Sequence, residues 1–141
     1  MKAEDEIEKL TYKITGICMK VHTEIGPGFP EEYYQKALEI EFAEEKILFE
    51  SQKPLPMLYR EIQIGMNYLD FDVDGRVILE IKSVNQITKT HLFQVLKYLS
   101  VARRPVALLV NFGKPSLEHK RIYPTRKIQD FWKSKQQAES V

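Results

Sequence analysis

The sequence contains little cysteine and no long apolar run. Cys18 is the one cysteine among 141 residues, which excludes an internal disulfide framework and agrees with a reducing compartment. No stretch approaches the ~20 apolar residues that span a bilayer. Residues 1–6 are acidic and lack the apolar core of a signal peptide. We therefore expect a cytoplasmic protein without a membrane segment, in which Cys18 is a packed thiol.

The net charge is small, but its distribution along the chain is uneven. Residues 1–70 carry 8 Lys or Arg against 14 Asp or Glu, a balance of −6. Residues 71–141 carry 13 against 6, a balance of +7. A basic half favours a surface for phosphates or another polyanion. The same numbers also fit two halves that neutralise each other within the fold or across a dimer.

Length and composition indicate a single domain. An apolar fraction of 43% and a charged fraction of 29% are ordinary for a globular protein. A chain of 141 residues is long enough for one continuous core. We expect this domain over residues 1–126 and a polar tail over residues 127–141, where Phe131 and Trp132 favour a loose helix or a docking segment.

Apolar periodicity predicts helices around a series of short strands. Helices are predicted over residues 7–21, over 30–46, and after the candidate cap Thr88. The strand-prone runs are residues 47–49, 57–64, 68–73, 77–81, 106–110 and 120–123, with breaks expected at Pro54, Pro56, Gly65 and Asp74-Gly75. This order predicts an α/β domain whose sheet is flanked by helices.

Two charged side chains interrupt an otherwise apolar strand. Glu80 and Lys82 share one face of this strand, because side chains alternate between its faces. Buried charges are costly unless they are paired or bound to a metal, so the pair conflicts with its surroundings as functional residues often do. An exposed ion pair on an edge strand also fits this spacing.

The position of Asp70 relative to Glu80 depends on the loop that joins their strands. A two-residue loop would pair Val73 with Arg76 and turn Asp70 away from Glu80. A three-residue loop with Gly75 in the left-handed conformation would bring Asp70 and Glu80 together. Two such carboxylates suit Mg²⁺ or Mn²⁺, and Lys82 beside them could orient a water or offset charge in a transition state. This set of residues suits phosphodiester hydrolysis.

The spacing Asp70-x9-Glu80-x-Lys82 resembles the PD-(D/E)XK nuclease superfamily. The wider chain resembles the GxxExxY branch of that superfamily, since Gly28, Glu31 and Tyr34 stand at the positions of its naming motif. Three further segments resemble the same branch, over residues 21–28, 74–84 and 110–113. The likeness covers roughly residues 7–125 and implies a restriction-endonuclease-like mixed sheet flanked by helices.

The resemblance also implies roles for individual residues. It makes Asp70 and Glu80 metal ligands, Lys82 the catalytic lysine and Glu31 an additional acid for the metal. Gln94 matches a glutamine that lines the site in related nucleases. His91, Gln94 and Tyr98 form one polar stripe on their helix, so we expect His91 and Tyr98 to contact substrate together with Lys82. As plainer alternatives, Glu31 also suits a helix N-terminus, and His91 a helix surface.

We therefore predict a metal-dependent nuclease that acts on nucleic acid. DNA is the expected substrate, and RNA is the alternative. One departure is Tyr68, which stands where many relatives carry an arginine. It favours a rival interpretation, a catalytically silent module that binds nucleic acid or assists assembly. A third interpretation is a scaffold with Phe131 and Trp132 as interface anchors. A nuclease of this size commonly needs a second subunit, so a homodimer is a further expectation.

Overall fold

The computed structural model describes residues 2–139, which form four helices and five strands. The helices are α1 (Lys2–Ile25), α2 (Glu31–Glu44), α3 (Lys89–Ala102) and α4 (Arg126–Glu139). The strands are β1 (Phe49–Tyr59), β2 (Ile62–Val73), β3 (Val77–Lys82), β4 (Val106–Asn111) and β5 (Glu118–Ile122). The predicted α/β class is confirmed. Within the described residues, no helix has both the length and the apolarity needed to cross a bilayer.

The five strands form one mixed sheet in the order β1-β2-β3-β4-β5. β3 and β4 run parallel and are joined through α3, whereas the other neighbouring pairs are antiparallel. β3 and β4 occupy the centre, and nearly all of their side chains are buried. This explains why residues 106–110 are apolar at every position.

The predicted breaks in the first hairpin were wrong. Pro54 and Pro56 lie inside β1, and Gly65 lies inside β2. β1 is an edge strand, where a residue without an N–H group can be accommodated. The chain instead reverses at Arg60 and Glu61, which have φ angles of 50° and 67°. Two positive φ angles in a two-residue loop match the twist of a hairpin, but no glycine or asparagine marks this turn in the sequence.

Helices cover both faces of the sheet and create two apolar clusters. α1 and α2 pack against one face, where Ile14 and Leu38 of the helices share a cluster with Phe71 of β2. α3 packs against the other face through Val95 and Leu99. Cys18 is fully buried in the first cluster, which confirms the predicted packed thiol, and burial raises its pKa to about 12.

The C-terminal segment is helical as far as Glu139. Trp132 connects this helix, α4, to α3, because its indole N–H donates a hydrogen bond of 2.8 Å to the carbonyl oxygen of Ser100. Phe131, the other expected anchor, is half exposed and has Lys135 above its ring. The described part of the tail is therefore a helix, and Trp132 attaches it to α3.

Candidate active site

The β2–β3 hairpin has the three-residue loop. Val73 pairs with Val77, so Asp74, Gly75 and Arg76 form the turn. Gly75 has a φ angle of 65°, the left-handed conformation that the loop requires. The regular ladder ends where Phe71 pairs with Leu79, and the next two residues, Asp70 and Glu80, face each other across the strands.

At Asp70, the side chains of β2 switch from one face of the sheet to the other. Phe71 packs in the cluster beneath α1 and α2, whereas Leu69 packs in the cluster beneath α3. In a regular strand, residues two apart would lie on the same face. The neighbouring strand is irregular at the same level, because Gln52 has a φ angle of 51°. Such irregularities change the direction in which a side chain points. Here they occur at Asp70, where the pairing between β2 and β3 ends.

Asp70 and Glu80 are bound to each other's strand by two reciprocal hydrogen bonds. The backbone N–H of Asp70 donates to Oε1 of Glu80 at 3.0 Å. The backbone N–H of Ile81 donates to Oδ2 of Asp70 at 2.9 Å. One oxygen of each carboxylate is thereby fixed by a backbone amide. The side chains take the place of the backbone ladder at the point where it ends.

Glu80 is held in a buried position that disfavours its charged form. Its side chain is 4% exposed. Burial and the nearby charge of Asp70 together raise the pKa of Glu80 well above its ordinary value, and the charge of Lys82 only partly opposes this. Two carboxylates in such proximity repel each other, so a cation between them would stabilise both in the ionised form.

A polar side chain of α3 contacts Lys82. Nζ of Lys82 donates to Oε1 of Gln94 at 3.4 Å, so the structure brings these two predicted site residues together. Tyr98 lies one turn further along α3. Burial raises the pKa of its phenol, and the charges of Glu80 and Asp70 raise it further.

Glu31 lies near the acidic pair but does not complete a cluster with it. Together with Gln35, Gln52 and Asp70 it lines a depression of about 480 Å³ at the start of α2. Among residues 2–139, no three His, Cys, Asp or Glu side chains lie close enough together to hold an ion. The structure therefore places Glu31 beside the site as a neighbour of Asp70.

The loop before α2 explains the other positions of the GxxExxY pattern in this chain. The hydroxyl of Tyr34 donates to the carbonyl oxygen of Gly26 at 2.6 Å and accepts from the N–H of Phe29 at 3.1 Å. Gly28, with a φ angle of 82°, donates its N–H to the carbonyl oxygen of Phe112. Ser83, which follows Lys82, donates its hydroxyl proton to the carbonyl oxygen of Phe29. The loop thus attaches the start of α2 to the end of β3.

His91 has a structural contact. Its Nδ1 accepts a hydrogen bond from the backbone N–H of Thr88 at 3.0 Å, while the hydroxyl of Thr88 accepts from the N–H of His91. The two residues form a capping box at the start of α3, which confirms Thr88 as the cap. This ring nitrogen of His91 is therefore engaged in the helix terminus, not in the site.

Two glutamines contact Asp70 and were missed by the sequence analysis. Gln35 of α2 donates to the backbone carbonyl oxygen of Asp70 at 3.0 Å and to the hydroxyl of Ser51 at 2.8 Å. Gln52 donates to Oδ1 of Asp70 at 3.3 Å. Gln35 lies four residues after Glu31, one helical turn along, and this spacing is the signal that could have identified it.

Asp72, the acid most easily confused with Asp70, belongs to a different cluster. Its carboxylate accepts hydrogen bonds of 2.7 Å from Arg104 and from Lys53. Burial alone would raise the pKa of Asp72, but these hydrogen bonds outweigh it and lower the pKa. The cluster links β1, β2 and the start of β4 next to the site, and it leaves Asp70 as the acid opposite Glu80.

Comparison with known proteins identifies the family of this chain. A model described as the PD-(D/E)XK nuclease superfamily matches residues 8–122, which include Asp70, Glu80 and Lys82. The chain belongs to the PD-(D/E)XK nuclease superfamily. Neither the curated proteins nor the solved structures gave a significant match.

Membership in the PD-(D/E)XK superfamily agrees with the fold described above. The five-stranded mixed sheet flanked by helices is consistent with a restriction-endonuclease-like fold. Proteins of this superfamily are nucleases that generally use divalent metal ions, which suggests hydrolysis of nucleic acid by this chain. The match ends at residue 122, so α4 (Arg126–Glu139) follows the matched region.

Proposed function

We propose that this PD-(D/E)XK protein is a metal-dependent nuclease that hydrolyses phosphodiester bonds in DNA. The observation that carries the proposal is the reciprocal pair of backbone hydrogen bonds that holds Asp70 against Glu80. Lys82 follows on the same face of β3. Two carboxylates and a lysine are therefore preorganised at one end of the central sheet.

The acidic pair fits a hard divalent cation such as Mg²⁺ or Mn²⁺. Mg²⁺ is commonly bound by one or two carboxylates together with waters and phosphate oxygens. Asp70 and Glu80 would hold the ion, and Glu31 would reach it directly or through a water. When bound, the ion polarises a phosphoryl oxygen and activates water. The raised pKa of Glu80 is the electrostatic reason to expect such a ligand.

The remaining side chains are assigned by their contacts. Lys82 orients the attacking water or stabilises the negative charge that develops on the phosphate. Gln94 holds the ammonium group of Lys82 through their hydrogen bond of 3.4 Å. Tyr98 contacts the substrate from α3, next to the acidic pair. Since Nδ1 of His91 is engaged in the helix cap, its other ring nitrogen would contact the substrate.

The test of this function is cleavage of DNA by the full chain in Mn²⁺ or Mg²⁺. We expect Glu80→Ala and Lys82→Ala each to lower the cleavage rate about 100-fold or more, because the first removes a proposed ligand of the cation and the second removes the positive charge proposed to stabilise the reacting phosphate. Matched controls are Glu61→Ala in the hairpin turn and Lys89→Ala on the first turn of α3, which are both exposed. Cleavage that survives both site substitutions would contradict the proposal.

A second candidate is a catalytically silent module that binds nucleic acid. It is favoured by Tyr68, which is 53% exposed near the site where many relatives have arginine. Salt-sensitive binding without cleavage by the unaltered chain would support this candidate. RNA as the substrate, the homodimer and membership in the GxxExxY branch also stay predictions.

A further inference from the structure

A groove of about 640 Å³ lies between α3 and the outer part of the β1–β2 hairpin. Met57 and Asn67 line it from the hairpin, and Phe93, Gln94 and Lys97 line it from α3. This volume is in the range of natural ligand pockets. The outer hairpin pairs with no third strand there, because the β2–β3 pairs begin only at Phe71. One side of the groove is therefore open to solvent.

The groove combines a flat apolar wall with amide groups. Phe93 is 57% exposed although it is a large aromatic residue, and Met57 is only partly covered. The side-chain amide of Asn67 offers donors and an acceptor, whereas Gln94 offers the two donors of its NH₂ group because its oxygen accepts from Lys82. Aromatic faces stack on nucleobases whatever their sequence, and amides can bond to the exposed base edges.

The charge of the groove also suits a nucleic acid. Lys97 is its one cationic side chain, and no Asp or Glu is among the described residues that line it. Lys97 is exposed on α3 four residues after Phe93, which places an ammonium group on the same helix face as the aromatic ring. A base on Phe93 would therefore have a cation within reach of its phosphate.

The groove is continuous with the candidate active site. Gln94 lines the groove and accepts the hydrogen bond from Nζ of Lys82. Tyr98, one helical turn after Gln94, also lines the groove. A strand whose phosphate reached Lys82 would have its neighbouring nucleotide at the groove.

We propose that this groove binds an unpaired nucleotide of the substrate, with its base stacked on Phe93 and its phosphate near Lys97. The inference rests on the proposed nuclease function and names the substrate class. In the interior of a duplex both faces of a base are covered by its neighbours, so away from the two ends Phe93 can stack only on a base in a single strand or one extruded from the helix. The preferred substrate is therefore single-stranded or locally unpaired.

The experiment compares one sequence offered as a single strand and as a blunt duplex, with Mn²⁺ and the full chain. We expect the unaltered protein to prefer the single strand. Phe93→Ala should lower kcat/KM on the single strand by about 5- to 150-fold, the range found when one stacking residue is lost, with little change on the duplex. Phe93→Trp keeps an aromatic face and should retain most of the activity.

Two matched controls separate the groove from general effects. Tyr12→Ala removes an aromatic side chain that is 77% exposed on α1, and it should leave cleavage unchanged. Lys97→Gln should weaken single-strand cleavage more than Lys89→Gln, which removes a charge from the first turn of the same helix. Circular dichroism and thermal unfolding check that each variant is folded.

The outcomes distinguish the two proposals. If the unaltered chain cleaves neither substrate, the proposed nuclease function fails. If it cleaves DNA but Phe93→Ala lowers cleavage of both substrates equally, or of neither, the groove does not bind an unpaired base and the inference is overturned. A selective loss on the single strand that Phe93→Trp restores would support it.

Discussion

At the scale of single residues, backbone amides position the carboxylates of Asp70 and Glu80. Because Glu80 is buried, we expect a bound cation to stabilise its ionised form. Oε1 of Glu80 accepts from the N–H of Asp70, and Glu80→Gln keeps an oxygen acceptor for that bond. The same substitution removes the charge that a cation needs. Glu80→Gln therefore separates the structural contribution of this side chain from its proposed role as a ligand.

We expect Mn²⁺ to raise the melting temperature of the unaltered chain and to have little effect on Glu80→Gln. A ligand at 100 times its Kd adds about 2.7 kcal/mol to the free energy of unfolding. Differential scanning calorimetry with and without Mn²⁺ measures this, and Glu61→Gln in the exposed hairpin turn is the control. An equal shift in unaltered protein and Glu80→Gln would show that the ion binds elsewhere.

At the scale of elements, the segment after β3 depends on a close approach to the end of β4. The buried side chain of Asn111 accepts from the N–H groups of Val84 and Gly113 and donates to the carbonyl oxygen of Val84. A Cβ atom on Gly113 would lie 2.2 Å from the carbonyl oxygen of Val84. The glycine is needed there for space, since its φ angle is not positive.

Gly113→Ala should therefore displace the segment that follows Lys82. We expect it to lower the free energy of unfolding by about 1–3 kcal/mol, the usual cost of overpacking, and to lower any cleavage activity. Gly16→Ala is the matched control, because apart from the adjacent helix backbone no atom of the described residues lies within 4 Å of its added Cβ in α1. That change should stabilise the protein by about 0.5–1 kcal/mol. Urea titrations measure both, and equal stability of the two variants would contradict this account.

The turns and contacts of these elements differ in how far they can be predicted from the sequence. The turn at Asp74-Gly75 was predictable, but these residues fit both a two-residue and a three-residue loop, and the pairing of Val73 with Val77 in the structure decides the register. The turn at Arg60 and Glu61 was not predictable, because ordinary residues adopt positive φ angles there under the pairing of two long strands. The spacing from Glu31 places Gln35 on the same face of α2, but its contact with Asp70 depends on tertiary packing between α2 and β2.

At the scale of the whole molecule, the acidic and basic halves neutralise each other only in part. Arg76 contacts Glu6 at 3.1 Å, and Arg121 contacts Glu8 at 3.9 Å, so two cations of the basic half are paired with α1. Both pairs are largely exposed, and such pairs contribute little to stability. They still reduce the positive potential that β5 and its surroundings present to a polyanion.

Enough cations stay exposed for binding to phosphates to be strongly salt dependent. Lys97 on α3, Lys120 on β5, and Lys127 and Lys133 on α4 are all exposed. Each phosphate contact contributes about −0.9 to the slope of log K against log salt for duplex DNA and about −0.7 for single strands. Three or more contacts would give a slope steeper than about −2 on a single strand.

We therefore expect fluorescence anisotropy in EDTA to show steeply salt-dependent binding of a single-stranded oligonucleotide. Lys82→Ala should weaken this binding while leaving most of the slope, because Lys82 is one cation among several but lies at the reacting phosphate. Binding that Lys82→Ala leaves unchanged, without cleavage in Mn²⁺, would favour the catalytically silent module. A chain that binds no nucleic acid even at low salt would instead favour the scaffold, because counterion release should make phosphate contacts strongest under that condition.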